Sequence, residues 1–213
     1  MIDTALYREY LDGLVSGDHA VCRTLVERLQ EEDILLVELY TELFHRSLYD
    51  VGMLWEKNRI SVAVEHMATA ITERLLAIVY PAVFQADHTG KRSIVTCTPG
   101  EHHQIGARMV ADVFELHGWD GYFLGADTPR KDLFDLVEEK KPDLLALSAS
   151  IVDNLDSAWR TLEELEEHFS HIPIIVGGRA FLDRREELSE RFPRARYLGS
   201  LGQLQQMVRE DGR

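Results

Sequence analysis

The sequence predicts an α + α/β protein: an N-terminal four-helix bundle, then a five-stranded parallel sheet covered by helices on both faces. Three observations carry this. Apolar residues recur at helical spacing through the first part of the chain. The period changes at Arg92, where short apolar runs begin. Five such runs then alternate with helical stretches. The expected domains are residues 1–88 and 92–213.

In the first domain Leu6, Tyr10, Leu11, Leu14 and Val15 mark one helix. Ser16-Gly17-Asp18 closes it and caps the next, which carries Val21, Cys22, Leu25, Val26 and Leu29. Asp33 is the expected cap of a third helix with Leu36, Leu39, Tyr40, Leu43, Phe44, Leu48 and Val51 inward. Ser61 caps a fourth, through Val64, Met67, Ala68, Ile71, Leu75, Leu76 and Val79, with Pro81 after its end. Short connections make these an antiparallel bundle.

Residues 85–91 read as a flexible linker. Strands are expected at 93–98, 121–125, 143–150, 172–176 and 196–199, and helices at 104–117, 130–140, 155–169, 183–191 and 200–209. No GxGxxG loop follows the first strand and no Walker-type phosphate loop occurs, so a nucleotide fold is not supported.

Hydrophobic content of 45% supports a packed core, and no apolar run spans a bilayer, so a cytoplasmic protein is expected. The two cysteines, Cys22 and Cys97, lie in apolar patterns and read as buried thiols. A net charge of −14 argues against nonspecific nucleic-acid binding.

Glu101, His102 and His103 fall on the loop after the first strand. The carboxyl ends of strands are where open α/β sheets bind ligands. A histidine with a carboxylate two residues away has the parts of a metal ligand and its orienting partner. A solvated loop carries the same residue types. Ser148, Ser150, Gly177, Gly178 and Gly199 lie at other strand ends. Small residues there leave a groove for a bulky planar group, and ordinary tight turns also use them.

Glu101-x-His103-x-x-Gly106, then Ser148-x-Ser150, then Gly177-Gly178 resembles the cobalamin-binding signature DxHxxG…SxL…GG. Glu replaces Asp at 101 and Ser replaces Leu at 150. The resemblance covers the whole chain, since a helical bundle before a Rossmann-like (flavodoxin-like) domain is that family's arrangement. It implies that His103 binds cobalt and that Glu101 polarises His103. The nucleotide tail would lie in the groove of Ser148, Ser150 and Gly177-Gly178, with His102 as a bystander.

Trp55, nine residues, then Glu65-His66 is similar to the W-x9-EH motif of the CarH and LitR class of adenosylcobalamin photoreceptors. Alone, Trp55 also reads as a core residue and His66 as a half-buried structural histidine. The resemblance implies that Trp55 packs over the adenosyl group and that Glu65 accepts from ribose hydroxyls. It implies a light-sensing role without catalysis and a protein partner, such as a transcription regulator, with self-association open. The winged-helix module of that class is not expected here, nor is direct DNA binding. In the best-known members a histidine after the Trp binds cobalt once light has removed adenosyl. Glu56 stands there in this chain, leaving His66, water or a different photoproduct open. The competing expectation is a corrinoid carrier protein of a methyltransferase system, which keeps its upper face small.

Overall fold

The computed structural model describes residues 2–84 and 86–211; Met1, Gln85, Gly212 and Arg213, including the first residue of the expected linker, lie outside them. The chain divides into two units, Met1–Val83 and Phe84–Arg213.

The first unit is helical, with α1 (Thr4–Ser16), α2 (His19–Glu31), α3 (Leu36–Leu39), a π-helical segment (Tyr40–His45), α4 (Arg46–Glu56), α5 (Val62–Val79) and a closing 3-10 turn (Tyr80–Val83). Three starts and one stop have a local cause. Asp3 caps α1 by accepting from Leu6 N, Asp18 caps α2 by accepting from Ala20 N and Val21 N, and Ser61 caps α5 by accepting from Val64 N. Gly17 ends α1 at φ 77, a conformation that costs glycine little. The helix α1 packs on α2, α4 and α5. Tyr10, Phe44 and Tyr40 form a fully buried aromatic row.

Two expectations for the third helix change. Asp33 does not cap it. Its φ is 54 and its N–H donates to Gln30 O, so it turns the chain out of α2; Leu35 stands at the N-cap with no side-chain bond. The helix also contains the π segment, whose extra residue per turn shifts the inward stripe. Leu48 is therefore only half-buried, while Ser47 and Val51 are buried.

The second unit is an open sheet of five parallel strands: β1 (Arg92–Cys97), β2 (Asp120–Phe123), β3 (Leu144–Ser148), β4 (Ile174–Gly177) and β5 (Ala195–Tyr197). Their order is β2-β1-β3-β4-β5, the flavodoxin-like order. The crossovers are α6 (Ile105–Glu115), α7 (Arg130–Lys140), α8 (Leu155–His168) and α9 (Arg185–Arg191), with α10 (Leu201–Asp211) last. Ile94, Leu145, Leu147, Ile174 and Val176 point to one face and meet Leu133, Val137, Trp159, Leu162 and Leu188 from α7, α8 and α9. Alternate residues point to the other face, which α6 and α10 cover. Each buried leucine or isoleucine contributes about 1.5–3 kcal/mol.

The strands are shorter than expected. Ser150 and Gly199 lie beyond β3 and β5, in the strand-end loops. The linker is also less free than expected in its second half. Thr89 N donates to Gly118 O at 2.8 Å, and His88 Nδ1 lies 3.1 Å from Asp120 Oδ1.

Gly178 has φ 99, and a Cβ there would lie 2.1 Å from Ala149 O. We expect Gly178→Ala to cost about 3 kcal/mol through strain and backbone overlap, read as a lowered urea midpoint at unchanged slope.

Candidate functional site

The strand order reverses between β1 and β3, so their carboxyl-end loops part there and leave a crevice. Glu101 occupies this point and is fully buried. Its Oε1 accepts from His103 N at 2.8 Å and from His103 Nδ1 at 2.6 Å. Its Oε2 accepts from Ser150 N at 2.7 Å, Ile151 N at 3.0 Å and Asn154 Nδ2 at 3.1 Å. One carboxylate thus ties the loop after β1 to the loop after β3.

Burying a carboxylate costs several kcal/mol. Each hydrogen bond to the charged form returns about 1.5–3 kcal/mol. Burial pushes the Glu101 carboxyl up, but the bonds from the His103 ring and from the His103, Ile151 and Ser150 amides outweigh it, holding it well below the usual carboxylate range. A charged carboxylate only accepts, so the His103 proton sits on Nδ1 and the neutral ring's lone pair is on Nε2. The His103 side chain is 55% exposed. An oriented, accessible imidazole of this kind can hold a metal.

Cys97 lies beneath this loop, its Sγ 3.8 Å from His103 O. Burial, helped by the Glu101 charge, pushes its thiol up to about 12.

The structure brings Glu101, His103 and Ser150 into direct contact, with Ser148 paired in register to Cys97 and Gly177. Ser150 takes part through its backbone. His102 is exposed on the same loop. The small residues divide by cause. A Cβ on Gly106 would meet nothing within 4 Å, and one on Gly177 only Leu198 O at 3.8 Å. Gly178 is instead filled by the Ala149 backbone, and at Gly199 a Cβ would lie 3.3 Å from the Tyr197 ring. Of the glycines expected to line the groove, Gly177, Gly178 and Gly199, only Gly177 has open space for a Cβ.

Sequence reasoning missed Asn154 and the Ile151 amide, both of which hold Glu101, and Asp127. Gly100 N donates to Asp127 Oδ1 at 2.7 Å, and Asp127 N donates to Glu101 O at 2.9 Å. None belongs to a motif, and the 150–154 turn and the 124–127 loop meet Glu101 only after folding.

Trp55, Glu65 and His66 lie in the first unit. Trp55 is in the last turn of α4 and is 46% exposed, not a core residue. Glu65 and His66 are in the first turn of α5. His66 Nδ1 donates to Glu65 Oε2 at 2.6 Å, and Thr69 Oγ1 donates to Glu65 Oε1 at 3.1 Å. The His66 side chain is 74% exposed, so it is not the half-buried histidine of the alternative reading.

Residues 91–198 match the B12 binding domain, and residues 6–80 match a second B12 binding domain. The chain belongs to the B12-binding family. It is 31% identical over 181 residues to the HTH-type transcriptional repressor CarA of Myxococcus xanthus, covering 84% of this chain and 58% of that protein. It is 23% identical over 182 residues to dimethylamine corrinoid protein 3 of Methanosarcina acetivorans, covering 81% of this chain and 82% of that one. The structure of the Methanosarcina barkeri monomethylamine corrinoid protein shares the fold at TM-score 0.85 and 16% identity, over 99% of this chain and 100% of that one.

This B12-binding protein binds cobalamin, and with it cobalt. The site fits such a group: an oriented, exposed imidazole at the crevice where the strand order reverses, with Ser148 and Gly177 paired at the neighbouring strand ends. No helix among the described residues is long and apolar enough to cross a membrane.

Glu101→Gln would set an amide NH2 against His103 or against the Ser150 and Ile151 amides. We expect a loss of about 3 kcal/mol at neutral pH. The folded Glu101 pKa lies below its ordinary value near 4.5, so its stabilisation is present above that value and lost as pH falls below it. The variant should lack this part of the acid limb, read by urea titration of the apoprotein between pH 3 and pH 7.

Proposed function

We propose that this chain is an adenosylcobalamin-dependent light sensor that controls a protein partner in transcriptional regulation. The observation that carries this reading is the pairing of an exposed indole, Trp55, with a hydrogen-bonded Glu65–His66 dyad in the adjacent helix. Large, polar and exposed residues of this kind suit an upper ligand as big as adenosine. The identity to CarA supports the same reading.

In this proposal His103 Nε2 holds the cobalt, and Glu101 keeps Nδ1 protonated and the ring oriented. Ser148, Ser150, Gly106, Gly177, Gly178 and Gly199 border the nucleotide tail, and His102 takes no direct part. The Trp55 indole packs against the adenine or ribose. Glu65, steadied by Thr69 and His66, accepts from ribose hydroxyls. Bound adenosylcobalamin would supply a light-sensitive cobalt–carbon bond. Loss of adenosyl would leave Trp55 and Glu65 without their partners. That change can bias the protein because these residues contact adenosyl only in the dark. The net charge of −14 disfavours direct contact with DNA, so the output runs through protein contacts or self-association.

A second reading, a corrinoid carrier of a methyltransferase system, is favoured by the match to dimethylamine corrinoid protein 3 over 82% of that protein's length. It predicts no preference for adenosyl over methyl.

The adenosylcobalamin complex should change its absorption spectrum irreversibly under green light, and its size by scattering should change with it. A spectrum unchanged by green light, or broken cobalt–carbon bonds with no change in size or in hydrogen exchange across residues 50–80, would return the carrier reading. Trp55→Ala should weaken adenosylcobalamin roughly tenfold and methylcobalamin far less, measured by fluorescence titration. His103→Ala should remove the histidine-ligated spectrum; an unchanged spectrum sinks the ligand assignment.

A further inference from the structure

We infer that Asp127 is a positioning residue for the cobalt-binding imidazole, gripping the His103 loop from the side opposite β3. The inference rests on His103 being the ligand.

The argument starts from where the β1–β2 ladder ends. Past the last register pair, Leu124 N donates to Val95 O at 2.9 Å and Cys97 N donates to Gly125 O at 3.1 Å. The loops then diverge, and regular pairing stops. Asp127 continues it by other means. Its backbone N–H donates to Glu101 O at 2.9 Å, and its Oδ1 accepts from Gly100 N at 2.7 Å. The carboxylate thus supplies an acceptor where the strand has run out. Asp127 holds φ 48 to do this, a conformation that aspartate and asparagine tolerate better than alanine.

Glu101 is consequently pinned at both ends. Asp127 holds its carbonyl from the β2 side, and Ser150, Ile151 and Asn154 hold its carboxylate from the β3 side. His103 follows two residues later, just before α6 begins at Ile105, and its carbonyl accepts from Cys97 Sγ at 3.8 Å. Its N–H and its ring are placed by bonds to Glu101, and these are only as well placed as Glu101. Freeing the Glu101 backbone would let the His103 ring sample a second tautomer and a wider range of angles. Groups that orient a metal-bound histidine are worth about 10–100-fold in affinity.

Three variants separate the contributions. Asp127→Asn keeps an acceptor, the N–H and tolerance of the φ angle. Asp127→Gly keeps only the N–H and the φ angle. Asp127→Ala loses the acceptor and strains the angle. In the apoprotein, 15N spectra of the neutral His103 imidazole report the tautomer without any cobalamin. Wild type and Asp127→Asn should show one Nδ1–H tautomer. Asp127→Gly and Asp127→Ala should show averaged nitrogen shifts, a lower histidine-ligated fraction with aquocobalamin, and affinity weaker by about tenfold. A single tautomer and unchanged affinity in Asp127→Gly would overturn the inference, since only the φ angle would then matter. So would loss of the tautomer in a folded Asp127→Asn. His103→Ala tests the ligand assignment separately, so the two failures are distinguishable.

Discussion

A single buried carboxylate organises the cobalamin end of this protein. Glu101 accepts five hydrogen bonds from two loops that the strand order pushes apart. Bonds from the His103 ring and from the His103, Ile151 and Ser150 amides outweigh the burial of its charge. The orientation of the His103 ring and the tie to the 150–154 turn follow from that one group. A longer side chain suits this role. Glu in place of the signature's Asp reaches both His103 on its own loop and the amides beyond β3.

The two readings of function share this lower site and differ in the bundle. What distinguishes a sensor from a carrier is what meets the upper ligand. The bundle carries an exposed indole and an acid–imidazole pair held by Thr69, which the sensor proposal assigns to that role. A residue of indole size gains from contact with adenosine and gains little from a methyl group. The chain spans 58% of the length of CarA and 82% of that of dimethylamine corrinoid protein 3.

Much of the fold was legible in the sequence. Gly17, Asp18 and Ser61 act through bonds to residues within four positions, so their signals survive without tertiary context. The buried parallel strands read as unbroken apolar runs because both faces are covered. Asp33 misled because an aspartate before an apolar run marks a helix start or a left-handed exit equally well. The π segment left no signal, since an extra residue in a turn changes which residues face inward without changing composition.

The sequence by itself determined the order of helices and strands, the acid–histidine motif after β1, and the W-x9-EH spacing in the bundle. These rest on periodicity and on neighbours close along the chain. Only the tertiary structure decided that Glu101 is buried, which tautomer His103 takes, that Asn154 and Asp127 serve the site, and which glycines leave open space. The reason is physical. The burial of Glu101 and the parts of Asn154 and Asp127 depend on groups beyond β2 and β3 that lie far from Glu101 in sequence and reach it only when the strands align in parallel.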